Sequence, residues 1–112
     1  MVTKGSTFFV NFGEREGSVQ RGVRPAVVVS CEQGNRHSNT VIVAAITKVR
    51  KRVDLPVHVR VENTKGIAHC AIILLEQLMT VDKNQIVSYI AKLDESTMKK
   101  VNHALKISLE LD

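Results

Sequence analysis

No tryptophan occurs in this chain, and Phe8, Phe9, Phe12 and Tyr89 are its only large aromatic side chains. So sparse a set cannot build a broad stacking platform for single strands, and any base recognition must rest on hydrogen bonds and loop shape. Cysteine is equally scarce. Cys31 and Cys70 form neither a CxxC nor a disulfide framework; both border apolar segments, where reduced, mostly buried thiols are expected. His69 beside Cys70 lacks a second ligand pair, so no metal site is read there. No apolar run approaches the roughly 20 residues of a membrane span, and residues 1–6 lack the apolar core of a signal peptide. The cytoplasm is the expected compartment. Also missing are a phosphate-binding glycine loop ahead of Lys-Ser/Thr, an HExxH motif and a nucleophile elbow. The carboxylates are scattered, without the close pairing of a two-metal nuclease. Neither a metal nor a cofactor is expected.

What the chain has is positive charge. A formal net charge of +5 over 112 residues favours an anionic partner. Lys48, Arg50, Lys51 and Arg52 crowd one short segment, which reads either as a solvated connection or as an arm that contacts phosphates. The length suits a single domain, residues 1–112, with its own core.

The organising stretch is residues 17–25, a glycine-bounded polar loop that runs into the apolar, β-branched segment Ala26–Val29. Such a loop can hold donors toward a ligand while the strand fixes their position. Arg24 stands at the strand's mouth, biased toward extended backbone by Pro25. Ahead of it, residues 7–12 read as a first strand, with Phe8, Val10 and Phe12 on the core face. Strands follow at 26–30, at 40–46 ending on Thr47, at 57–61, at 71–75 and at 87–93. Residues 31–38 read as a polar loop, and 82–85 as one helical turn. In the 57–61 strand the valines share one face and His58 and Arg60 the other. Only the C-terminus has helical periodicity. Asp94 is its expected N-cap, and Met98, Val101, Leu105 and Leu109 fall on one face. Short strands followed by one helix predict a mostly-β α+β domain, small and barrel-like.

These residues can support RNA cleavage in which the substrate's own 2′-OH attacks the phosphate. The protein then supplies a base, an acid and donors to the pentavalent transition state. Arg24 suits the last role, since a guanidinium matches phosphate oxygens with a planar fork. Thr47, at a strand end, can offer its hydroxyl to the same phosphate. His58 supplies the side chain suited to acid–base work near neutral pH, although a lone histidine on a strand is more often structural. Glu76 and Gln77 interrupt an apolar strand. They are either edge-facing residues or hydrogen-bonders that discriminate base edges.

In order along the chain, Gly22-Val23-Arg24-Pro25, Gly34-Asn35-Arg36, Thr40 through Thr47, Leu55-Pro56 with His58-Val59, Ile73 through Gln77, Thr80 through Lys83 and Ala104 through Leu109 resemble the MazF/PemK toxins of the firmicute type. The resemblance implies an SH3-like, CcdB/PemK-type barrel with a C-terminal helix, assembled as a homodimer. It implies a toxin endoribonuclease that cuts single-stranded mRNA at a short motif without metal, leaving a 2′,3′-cyclic phosphate and a 5′-OH. Its catalytic residues map onto Arg24 and Thr47, and its RNA contacts onto Ser18, Gln20, Asn35, Leu55, His58, Glu76 and Gln77. The implied partner is a cognate antitoxin whose flexible acidic segment covers the RNA groove. Family loops often read GSEQGG, whereas here Val19 replaces the carboxylate. Two other readings stay open: a non-enzymatic module or gyrase poison on the same barrel, and a catalytically weakened RNA binder.

Overall fold

The computed structural model describes residues 2–14, 16–17, 21–48, 55–62 and 64–112. Its strands are β1 (Ser6–Asn11), β2 (Val23–Val28), β3 (Thr40–Lys48), β4 (His58–Arg60), β5 (Ala71–Asp82) and β6 (Ile86–Lys92). A short helix, α1 (Glu32–His37), joins β2 to β3; a 3-10 turn, Lys83–Gln85, joins β5 to β6; the helix α2 (Glu95–Ser108) follows. The strands form one six-stranded sheet in the order β4-β5-β3-β2-β1-β6, every pair antiparallel. The mostly-β architecture with a C-terminal helix is as expected. The barrel is not closed by hydrogen bonds: among the described residues, β4 and β6 end the sheet.

Two apolar layers follow from strand alternation. Phe8, Val10 and Phe12 pack with Ala26, Val28, Val41, Val43 and Val81 on one side. Val27, Ala44, Ile46, Val59, Ile73 and Leu75 pack with Val101 and Ala104 of α2 on the other. Each fully buried Val, Ile or Leu contributes about 1.5–3 kcal/mol relative to an exposed one. Asp94 caps α2 as anticipated, accepting from Thr97 N–H at 2.8 Å. Ser108 Oγ donates to Leu75 O at 2.9 Å and ties the helix end to β5. Leu109 departs from the expected face. It is the C-cap residue and is exposed, because helical geometry stops at Ser108.

Three other expectations need correction. Residues 32–37 form α1 rather than a loop, with Cys31 at its N-cap. Cys31 is accordingly exposed and Cys70 half-exposed, not buried thiols. Arg24 and Pro25 lie inside β2, which begins at Val23. Pro25 is tolerated there because β2 pairs with β1 across Val23–Val27 but with β3 only from Ala26 onward. On the β3 side no N–H is required of it.

Candidate active site

The β2–β3 register runs Ala26↔Ala45, Val27↔Ala44, Val28↔Val43 and stops. Continued by one position it would set Pro25 against Ile46, and proline has no N–H to give. One position further it sets Arg24 level with Thr47. β3 meanwhile stays paired to β5 through Thr47↔Ile72 and Lys48↔Ala71. The two strands therefore part at Pro25, and an open hollow of about 590 Å³ lies there. Arg24, Thr47, Arg21 and Lys48 all line it. Arg24 is exposed and Thr47 half-buried. No carboxylate lines the hollow among the described residues. Three cations and a hydroxyl around a water-accessible space suit an anionic, phosphate-bearing ligand.

The approach to Arg24 is pinned by backbone. Gly22 N–H donates to Gly13 O at 2.8 Å, and Phe12 N–H donates to Gly22 O at 2.9 Å. The long loop between Gly13 and Gly22 is thus closed at its neck, two residues before Arg24. Gly66 lines the hollow's far side with φ +91°, where a Cβ would stand 2.8 Å from Ile90 Cγ2. Phe9 lines the hollow too and is partly exposed. The functional reading of the sequence passed over Phe9. Its signal was available: it has the opposite parity to Phe8 and Val10, an aromatic on the outward face of β1.

A second polar pair lies on β4 and β5. His58 Nε2 and Glu76 Oε2 are 2.8 Å apart, with the imidazole side chain only 8% exposed and the glutamate 40%. His58 Nδ1 is buried and has no partner among the described residues. Glu76 and Gln77 belong to a three-residue excess on β5: Ala44 pairs with Leu78 and Ala45 with Leu74, leaving Leu75, Glu76 and Gln77 unmatched on β3. The excess turns this part of the strand out of the ladder, which is why polar residues interrupt an apolar run.

Comparison with known proteins decides the family. Residues 3–109 match the PemK-like, MazF-like toxins of type II toxin-antitoxin systems. The chain belongs to the PemK/MazF toxin family. It is 42% identical to Endoribonuclease EndoA of Bacillus subtilis, across 99% of this chain and 97% of that protein. It is 39% identical to Endoribonuclease MazF of Staphylococcus saprophyticus, across 99% and 93%. Its fold matches a mycobacterial endoribonuclease in complex with its cognate antitoxin, with a TM-score of 0.82, 23% identity, and coverage of 98% of this chain and 96% of that one. MazF from Deinococcus radiodurans matches with a TM-score of 0.82 and 21% identity over 97% and 96%. Relatives named as endoribonucleases do not favour the binding-module and gyrase-poison readings.

On this PemK/MazF fold the sequence-derived site residues fall into separate places. Arg24 and Thr47 share the cationic hollow. His58 and Glu76 bond to each other, with Gln77 beside Glu76 on β5. Leu55 is exposed just before β4, its carbonyl accepting from His58 N–H at 3.0 Å. Asn35 is elsewhere. It is 3% exposed, its Nδ2 donates to Ser30 O at 2.9 Å and to Glu32 Oε1 at 3.0 Å, and its Oδ1 accepts from Ser30 Oγ. With both amide ends engaged inside the protein, Asn35 anchors α1, apart from the Arg24 hollow. Ser18, Gln20 and Val19, and most of the basic run at 48–52, lie outside the described residues. No cluster of three or more His, Cys, Asp or Glu suited to a metal occurs among the described residues, and no described helix is long and apolar enough to cross a membrane.

Proposed function

We propose that this chain, as one PemK/MazF unit, is the toxin of a type II toxin–antitoxin pair and cleaves single-stranded mRNA at a short sequence motif. The observation that carries the reading is the meeting of Arg24 and Thr47 at one cationic hollow. The substrate's 2′-OH attacks the adjacent phosphorus and loses its proton. The bond from phosphorus to the 5′-oxygen breaks, and that oxygen takes up a proton. A 2′,3′-cyclic phosphate and a 5′-OH result, with no metal step. Arg24 donates its paired N–H groups to the nonbridging oxygens as their charge grows, and Thr47 donates its hydroxyl to the same group. Lys48 and Arg21 hold the flanking phosphates by charge. Ser18, Gln20, Leu55, His58, Glu76 and Gln77 supply RNA contacts; Phe9 offers a ring on which a base can stack. The partner is a cognate antitoxin, the assembly a homodimer and the compartment the cytoplasm.

The test is incubation of the purified protein with a long, mixed-sequence RNA in excess EDTA, with new 5′ ends mapped by primer extension. Discrete cuts at a recurring motif, ending in 5′-OH and lost in Arg24→Ala and Thr47→Ala, are expected. Cleavage only after magnesium is added would overturn the mechanism. RNA bound but left intact would support the weakened-relative reading and make Val19→Glu the next variant.

A further inference from the structure

The parting of β2 from β3 comes down to one missing N–H. Val29 N–H donates to Ile42 O at 2.9 Å. Counted back from Val29, β2 therefore turns its backbone groups toward β3 at every second residue, at Val27 and then at residue 25. On the other side Phe12 N–H donates to Gly22 O at 2.9 Å, and the same alternation turns Arg24 and Ala26 toward β1. Residue 25 is thus where the Ile46 carbonyl would next receive an N–H, and proline has none. Neither strand is loose at this point. Arg24 stays in register with Val10 of β1, and Thr47 with Ile72 of β5. The lining of the hollow reflects the gap. Regular alternation would put Arg24 and Thr47 on the sheet face that carries Val28 and Val43, and Phe9, Pro25 and Ile46 on the face that carries Val27 and Ile73. All five line one hollow. Side chains of both faces meet there because two anchored strands have parted.

We propose that Pro25 is a positioning residue for the cleavage reaction: by withholding an N–H from the Ile46 carbonyl, it keeps β2 and β3 apart and leaves Arg24 and Thr47 free to close on one phosphate. The assignment rests on the RNA-cleavage reading of the same hollow. With a donor at residue 25 the ladder would gain its next hydrogen-bonded pair, and Arg24 would come to face Thr47 as a non-hydrogen-bonded pair. Cα atoms in such a pair lie about 4.5 Å apart, and their side chains touch. A phosphate needs its oxygens between the guanidinium and the hydroxyl, and the two side chains would then fill that space themselves. A donor here would also add a backbone hydrogen bond to the sheet, so folding alone does not call for proline at this place. Pro25 offers the phosphate neither a donor nor a charge. It acts through the spacing of two residues that bind it.

The test compares the parent with Pro25→Ala and with a third full-length chain that carries L-lactic acid at residue 25. The third chain is made by joining a synthetic 1–30 segment to residues 31–112 at Cys31. Alanine restores the N–H; the lactic ester removes it again and keeps the same methyl side chain. In Pro25→Ala the residue-25 amide should be protected from hydrogen exchange, the protein should melt close to the parent, and RNA binding should hold within a few-fold. Single-turnover cleavage should nevertheless fall about ten- to a hundredfold, and the lactic-acid chain should recover most of it. An unprotected residue-25 amide, melting far below the parent, or a lactic-acid chain no faster than Pro25→Ala would each overturn the proposal. A parent that cuts beside a Pro25→Ala protein that cuts as fast would defeat this assignment alone. A parent that leaves RNA intact would defeat the cleavage reading and the assignment with it.

Discussion

His58 Nε2 lies 2.8 Å from Glu76 Oε2, joining edge strand β4 to β5 where β5 carries residues that β3 does not match. Because Nδ1 is buried without a partner among the described residues, the ring's polar commitment there is to this carboxylate. His58 therefore holds Glu76 in one orientation. A hydrogen bond to a charged group contributes about 1.5–3 kcal/mol, less when one partner is half-exposed. A double-mutant cycle with His58→Ala and Glu76→Ala, read by urea unfolding, should give a coupling of about 1 kcal/mol. A coupling near zero would make the contact incidental.

Thr7 is the second buried joint. It is fully buried on β1; its Oγ1 donates to Ala91 O at 2.7 Å and accepts from Ala91 N–H at 3.0 Å. The β1–β6 register slips there, with Thr7 opposite Ala91 and Phe8 opposite Tyr89. One hydroxyl thus satisfies both backbone groups beside the bulge. Thr7→Val keeps the shape and orphans both, so it should cost about 2 kcal/mol. Thr7→Ser should recover much of the loss, and equal stability of the Val and Thr proteins would refute this account.

Much of this was legible in the sequence, and the misses share a cause. Alternation placed Phe8, Val10 and Phe12 in the core because period-two patterning is local. Asp94 and the Asp82–Gln85 turn were legible for the same reason, since a cap needs only its own next residues. The short helix α1 was not, for six residues carry almost no periodicity, and its anchor, Asn35, looks like a turn residue until Ser30 closes on it. The strand at Arg24–Pro25 was missed because proline's tolerance depends on where β3 pairing stops, a fact of the whole sheet. Chemistry singles out Arg24 and Thr47 as candidates. Their meeting could be found only through register.

Gly66 carries a requirement that sequence alone does not reveal. At φ +91° any side chain is strained, and a Cβ there would also press on Ile90 Cγ2 at 2.8 Å. Gly66→Ala should destabilise by about 1–3 kcal/mol. In an Ile90→Ala background the same change should cost less, since the clash is gone and only the backbone strain remains. An equal cost in both backgrounds would remove the contact from the explanation.

Acid should loosen both ends of the described fold. Glu32 is held below the ordinary carboxylate value chiefly by the Lys4 backbone N–H, at 2.7 Å, and then by Asn35. Asp94 is held below its own chiefly by hydrogen bonding to Thr97. A carboxylate with a lowered folded-state pKa binds fewer protons folded than unfolded. Its contribution is therefore present above the unfolded value and is lost as pH falls through the lower folded one. Melting temperature should drop across the acidic carboxylate range. Asp94→Asn and Glu32→Gln, which keep an acceptor but cannot titrate, should each flatten that acid limb, and unchanged slopes would rule out these two groups as its source.

The sharpest division falls on Arg24, because charge and geometry can be separated there. Arg24→Lys keeps the positive charge in the hollow but loses the planar fork that can bind two phosphate oxygens at once. If Arg24 acts mainly by charge, lysine should keep most of the activity. If it acts on the transition state through paired hydrogen bonds, Arg24→Lys should bind RNA within a few-fold of the parent and still cut about 10²–10³-fold more slowly. That Arg24 and Thr47 line the same hollow favours the second outcome. Single-turnover cleavage at saturating enzyme, beside direct binding of a non-cleavable 2′-deoxy substrate, separates the two. A lysine variant that cuts at the parent rate would reduce Arg24 to an electrostatic anchor.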